Sequence, residues 1–407
     1  MTREEVRNEI LKVNSPNILC ELPTSFGKSK IALDIMAQRA PLTIKELHIL
    51  IVIPRLVLID NWKEEFKRWG YEKYLMQTEF VTYMSLPKKL TLKNRWNVII
   101  FDECHHLSAR CRDAWAEANN GTKESISQTN ILLSATVTKS LKEELESLFP
   151  QLYTYKVSTK KAITEEILPD PKVYLIPLSL DNTDVTWEIV KNPRQKIELA
   201  IPYSQKWKYA KVKNRRIIIK CTQKQYYEDM SSMINWYKKK AYQKVYKNLF
   251  LRKSGERLKW LSNQKTAIVN QILSALSEQR TLTFCNGIPQ TEELGKYCIN
   301  SKNKASKSNL AKFNEGKVNH ITACNMLDEG MNLVNCRIGV YAMLNASERL
   351  ITQKLGRMLR HPNPIIVIPY FKGTREAEIK YSMLENYNPE LVKEITDLTN
   401  LKEQLDL

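Results

Sequence analysis

The chain is poor in glycine, with 11 in 407 residues, where an average soluble protein carries about 7%. That excludes collagen-like and Gly-rich low-complexity architectures, and it makes a glycine inside a motif a sign of backbone need. Long apolar runs are also missing. The longest, such as "LHILIVIP", are strand-sized and far short of a bilayer span. The opening residues, "MTREEVRNEI", are charged from the third position and lack an apolar signal region. Eight cysteines stand singly, at 20, 104, 111, 221, 285, 298, 324 and 336, with no CxxC pair. Neither a zinc ribbon nor a disulfide framework is indicated. We therefore expect a cytoplasmic protein with no membrane partner. Acidic residues are scarce in one region: residues 191–260 hold 20 Lys+Arg against 4 Asp+Glu, which is +16 of the total +19. Aromatic residues, among them Trp207, Trp236, Tyr242 and Trp260, interleave with that charge. The combination suits a polyanion with exposed bases; the plain alternative is a lysine-biased solvated helix.

The length suits two domains. Residues 17–155 alternate near-continuous apolar runs ("NILCEL", "LHILIVIP", "NVIIF", "NILLSA") with helix-like stretches. Such alternation indicates a parallel sheet covered on both faces. From 280 the rhythm returns with "TLTFCN", "VNHITAC", "RIGVYAM" and "IIVIPY". We expect an α/β fold with a first domain at 1–160, a second at 161–375 and a helical tail at 376–407. "LPDPKVYLIPLSL" supplies a strand that could begin the second domain. At about 181–262 a basic, mainly helical insertion is expected within, or just ahead of, that domain.

Two stretches carry chemistry. In "ELPTSFGKSKIALD" a strand runs into a loop ending Gly27-Lys28-Ser29 and then a helix, the arrangement of a phosphate-binding loop. Backbone N–H groups and the helix N-terminus receive phosphate oxygens. Lys28 would reach the β- and γ-phosphates, and Ser29 would offer its hydroxyl to Mg²⁺. The match is partial, because Leu22 stands where the full pattern has glycine. In "NVIIFDECHHLSAR" an apolar strand ends on Asp102 and Glu103. At the carboxyl end of a parallel strand, Asp102 could hold Mg²⁺ through its water shell and Glu103 could deprotonate an attacking water. Neighbouring strand side chains face opposite ways, so the chain must turn at Glu103 for both to serve one site. A zinc site at Cys104, His105 and His106 is the weaker reading, since consecutive residues converge poorly on a tetrahedral ion. His105 is expected to hydrogen-bond across the domain interface.

In order, "LPTSFGKS", "DECH" and "LLSAT" resemble motifs I, II and III of superfamily 2 helicases. "IVIPRLVLIDNWKEEF" is similar to motif Ia in the form met in Swi/Snf-type and type III restriction-type members, and "VTYMSL" to motif Ib. "RTLTFCN", "TACNMLDEGMNL" and "QKLGRMLR" resemble motifs IV, V and VI. The resemblance implies two tandem RecA-like domains with ATP and Mg²⁺ between them. Thr24, Ser25, Phe26, Gly27, Lys28 and Ser29 would bind nucleotide, with Ser29 and Asp102 on the metal. Gln353 would lie near the γ-phosphate, and Arg357 and Arg360 would be arginine fingers. Gly330 and Asn332 would sit near the ribose or cleft. His105, Ser134 and Thr136 would couple hydrolysis to domain motion, and Pro54, Arg55, Thr82 and Tyr83 would track a nucleic acid strand. Three features depart from the family pattern. Ser25 replaces a usual glycine, no glutamine of the adenine-reading Q motif precedes the loop, and "NSKNKASKSN" replaces the features that normally follow motif IV. The implied function is an ATP-dependent helicase or translocase, monomeric, on DNA in preference to RNA. An RNA helicase, a non-unwinding nucleic-acid-stimulated ATPase and a binding protein with a degenerate ATP site are the alternatives.

Overall fold

A computed structural model of the chain describes residues 1–40, 47–90, 96–120, 128–180, 184–190, 198–211, 216–324, 333–344 and 360–407. Its first sheet has six parallel strands: β1 (Asn17–Glu21), β2 (Ile49–Ile53), β3 (Thr78–Thr82), β4 (Val98–Phe101), β5 (Thr129–Ser134) and β6 (Tyr153–Lys156). Their order is β3-β2-β4-β5-β1-β6. Strands β1, β2, β4 and β5 are buried at every position, which is why they read as continuous apolar runs and not as alternation. Helices α1 (Arg3–Leu11), α2 (Lys28–Arg39) and α3 (Leu58–Arg68) pack together. Asp34 of α2 ties them, taking Arg7 of α1 on one oxygen and the Tyr71 hydroxyl, 2.5 Å away, on the other.

The second sheet has seven strands, all parallel, ordered β12-β13-β11-β14-β15-β7-β16. They are β7 (Lys172–Leu178), β11 (Thr281–Phe284), β12 (Cys298–Ile299), β13 (His320–Ala323), β14 (Ile338–Tyr341), β15 (Ile365–Phe371) and β16 (Val392–Glu394). The strand in "LPDPKVYLIPLSL" is β7, near one edge of this sheet. The tail differs from the helical expectation: after the helix Arg375–Leu384 the chain returns as β16 and pairs beside β7.

The inserted region also differs from expectation in its first half. Between β7 and β11 lie three further strands, β8 (Asp184–Val190), β9 (Glu198–Pro202) and β10 (Arg216–Thr222), forming a small mixed sheet with β10 in the centre. The helical expectation holds for the second half, where helices Gln223–Lys239 and Lys244–Gln264 form a hairpin. At its root Lys265 and Glu376 make a fully buried ion pair at 2.6 Å. Lys265 also donates to the Pro369 carbonyl and Glu376 accepts from the Phe371 amide, so the charges are compensated and the hairpin is tied to the second sheet.

Candidate active site

Sheet order sets up the site. With β5 between β1 and β4, the carboxyl ends of three strands lie side by side, Glu21 opposite Ser134 and Phe101 opposite Leu132. The stretches that follow β1, β4 and β5 therefore converge, as the general rule for parallel sheets requires.

The loop after β1 bends through two left-handed residues. Gly27 has φ +105° and Ser25 φ +69°. A Cβ on Gly27 would meet nothing within 4 Å, so the glycine is required by backbone conformation and not by space. Ser25 adopts the left-handed region with its side chain present, and it has a use for that side chain: Arg360 Nε lies 3.2 Å from Ser25 Oγ. Phe26, expected at the nucleotide, has its ring buried in the core, where it anchors the loop. Its side chain is therefore no ligand contact. Lys28 opens α2 and its Nζ donates to the Leu22 carbonyl at 3.1 Å.

After β4 the turn required at Glu103 is present: Glu103 has φ +50° and ψ +58°. Asp102 and Glu103 thereby line one cavity. Asp102 Oδ2 accepts a 3.0 Å hydrogen bond from Trp62 Nε1 on α3. Burial and the neighbouring Glu103 carboxylate push the Asp102 carboxyl up to about 6, with Trp62 and Lys28 opposing. Cys104 turns into the core beside Phe101 and Trp115, which takes the sulfur donor away from the zinc reading.

His105 Nδ1 lies 3.1 Å from Ser134 Oγ, a contact inside its own lobe. Ser134 uses its hydroxyl hydrogen on the Thr136 carbonyl at 2.8 Å, so His105 must carry its hydrogen on Nδ1 to make the contact. The same Nδ1 is 3.4 Å from Glu103 Oε2. The carboxylate thus lies against a histidine that is hydrogen-bonded to the Ser-Ala-Thr turn.

Tyr83 departs from expectation. It is only 5% exposed, and its hydroxyl donates to the Asp102 carbonyl at 2.7 Å, so its side chain frames the site and faces no nucleic acid strand. Pro54, Arg55 and Thr82 remain near the surface at the adjoining ends of β2 and β3. Gly330, Asn332, Gln353 and Arg357 fall outside the described residues. Sequence reading missed Trp62, whose spacing with Leu58 and Phe66 reads as an ordinary core stripe; only its place in motif Ia, beside the motif II strand, hinted at more.

The cavity measures about 530 Å³, within the usual range for ligand sites. Thr24, Ser25, Lys28, Trp62, Asp102 and Glu103 line it, with Arg360 reaching in from the other lobe. Thr24 Oγ1 and Glu103 Oε2 are buried and take no hydrogen bond among the described residues. Two unsatisfied polar atoms, a lysine, a loop bent through two left-handed residues and a buried carboxyl fit what a magnesium-bound triphosphate would complete.

Residues 3–139, which span this loop and both carboxylates, match the family described as type III restriction enzyme, res subunit. The matched stretch carries the motif I and motif II sequences that resemble those of superfamily 2 helicases. The chain is similar to the DNA 3′-5′ translocase XPB2 of Sulfurisphaera tokodaii, at 22% identity over 381 residues, covering 88% of this chain and 78% of that one. Among solved structures, S. cerevisiae Dbp5 bound to RNA and ADP BeF3 superposes with a TM-score of 0.62 at 10% identity, covering 100% and 92% of the two chains. The Hef helicase domain of Pyrococcus furiosus does so at 0.50 and 14% identity, covering 93% and 97%. Both share with this chain the fold of two tandem parallel sheets. No helix among the described residues is long and apolar enough to cross a membrane.

Proposed function

We propose that this protein is a superfamily 2 motor that hydrolyses ATP in the cavity between its two sheets and uses the cycle to move along DNA. One observation carries the reading: Arg360, from the second lobe, touches the phosphate loop at Ser25 in the same cavity that holds Lys28, Asp102 and Glu103. Lys28 and the loop amides hold the β- and γ-phosphates. Ser29 and Asp102 would hold Mg²⁺, which when bound neutralises phosphate charge. Trp62 fixes the Asp102 carboxylate so that one oxygen faces the cavity. Glu103, next to the Nδ1–H of His105, takes the proton of the attacking water. Arg360, and Arg357 three residues before it in the sequence, compensate charge on the transferred group from the opposite lobe. Gln353, Gly330 and Asn332 keep the nucleotide-facing roles that the motifs imply.

A ligand gripped from both lobes favours the closed cleft, and losing its terminal phosphate releases that grip. Contacts from Glu103 through His105 and Ser134 to Thr136 run from the hydrolytic carboxylate to the motif III turn, the position from which such a change is passed on. DNA is favoured by the match to the restriction res-subunit family and by the DNA translocase relative. The test is ATPase activity measured with single-stranded DNA, duplex, fork and RNA side by side, for wild type and Glu103→Gln. The reading expects DNA stimulation in wild type, and loss of turnover with nucleotide binding kept in the variant. Stimulation by RNA alone would overturn the substrate assignment, and loss of nucleotide binding in Glu103→Gln would overturn the base.

A further inference from the structure

The helical hairpin of the insertion stands away from the second lobe. From Asn235 to Arg257 no residue is buried, and burial resumes only at Leu258, Leu261 and Ser262 near the root. Residues 244–257 alone extend about 21 Å at 1.5 Å per helical residue. The root is fixed by the Lys265–Glu376 pair, by Ser262 Oγ donating to the Ala342 carbonyl at 2.9 Å, and by the Arg375 amide donating to the Tyr227 hydroxyl at 2.8 Å. The projection is therefore firmly mounted.

Its far end carries an aromatic knot. The Trp236 ring meets Tyr237 at 5.2 Å and Tyr246 at 5.5 Å, both edge to face, and Lys240 Nζ sits 4.0 Å above the Trp236 centroid. Trp236 is nonetheless 48% exposed, and Tyr242, in the connecting turn, is 82% exposed. Between Asp229 and Glu256 the sequence has seven Lys or Arg and no carboxylate. A packed ring cluster and an exposed tyrosine at the tip of a cationic projection, both open to solvent among the described residues, match a partner with negative flanks and a flat aromatic face.

We propose that the hairpin tip binds the end of a base-paired stem at a fork, with Tyr242 of the connecting turn and the exposed face of Trp236 offering rings to the terminal base pair while Lys238, Lys239, Lys240 and Lys244 hold the two diverging backbones. The proposal rests on the reading of the chain as a nucleic-acid motor and adds to it a preferred substrate structure: a strand junction, which a blunt or continuous duplex does not present with two flanking single strands. Stacking makes the site indifferent to base sequence.

The experiment measures equilibrium binding of the full chain, without nucleotide, to a forked DNA and to a continuous duplex of the same stem. Wild type, Tyr242→Ala, Tyr242→Phe and the Trp236→Ala/Tyr242→Ala double variant are compared. Tyr242 is too exposed for its replacement to disturb folding. The proposal expects wild type to prefer the fork at least tenfold, Tyr242→Ala to lose most of that preference, the double variant to lose all of it, and Tyr242→Phe to keep it. Equal binding of fork and duplex by wild type overturns it, as does a fork preference that survives in the double variant. The motor reading is judged separately, by nucleic-acid stimulation of the wild-type ATPase. Stimulation without fork preference removes the tip proposal alone; absence of stimulation removes the motor reading whatever the tip binds.

Discussion

Replacing Asp102 by asparagine should make the nucleotide-free protein more stable while destroying its activity. The Asp102 carboxyl, ordinarily at 3.8, is pushed up to about 6 by burial and by Glu103. Between those values the unfolded chain has released its proton and the folded one has not, so the unfolded state binds fewer protons and stability falls as pH rises. At about 1.4 kcal/mol per pH unit, the penalty is complete above pH 6 and amounts to about 3 kcal/mol. Asparagine keeps the carbonyl oxygen that Trp62 Nε1 donates to and cannot ionise. Urea unfolding of Asp102→Asn and wild type, free of metal and nucleotide, should give curves that coincide near pH 4 and separate towards pH 7, the variant being the more stable by up to about 3 kcal/mol. Adding Mg²⁺ and ADP should narrow the gap by stabilising wild type more. A difference that does not grow with pH, or a variant less stable at pH 7, would refute the claim that the fold holds a strained charge there for use.

Two other predictions follow from the same structure. In Trp62→Phe the ring is kept and one hydrogen bond to a charged group is lost, worth about 1.5–3 kcal/mol; half-saturation by Mg²⁺ in a nucleotide-binding assay should rise about tenfold or more, and more at pH 6 than at pH 8, where Asp102 is ionised in either protein. His320, on β13, has Nε2 3.0 Å from Thr283 Oγ1, and burial pulls it down to about 4. Its folded value lies below its unfolded value of 6.5, so stability is full above pH 6.5 and drains away as pH falls towards 4. His320→Asn should flatten that slope in acid denaturation, opposite in sign to the Asp102 effect.

The parts of the molecule that could be read from the chain were those where hydrophobic pattern and chemistry coincide. Strand β4 is uniformly apolar and stops on Asp102, so strand, sheet type and carboxylates are visible in one line. The turn demanded at Glu103 was an argument from geometry, and its φ of +50° is the answer. The small mixed sheet in the insertion was hidden because charge dominates composition there, although "RIIIK" in β10 is a β-branched run. Strand β16, "VKE", is too short and polar to announce itself and exists because β7 leaves an edge to pair. At the site, His105 reads as an interface residue by its motif; that its Nδ1 is held by Ser134 depends on β5 lying next to β4, which no local pattern states. Ser25 could be flagged as a departure from glycine, but its bond to Arg360 joins residues 335 apart.

The account centres on Arg360 completing, from the second lobe, a site built on the first. The most direct measurement is single-turnover ATP hydrolysis by Arg360→Ala at saturating ATP and DNA, with ATP affinity determined in parallel. An arginine that compensates charge in the reaction is worth about 10³-fold or more in rate. The account predicts a loss of that order with ATP affinity changed only severalfold; hydrolysis within tenfold of wild type would contradict it.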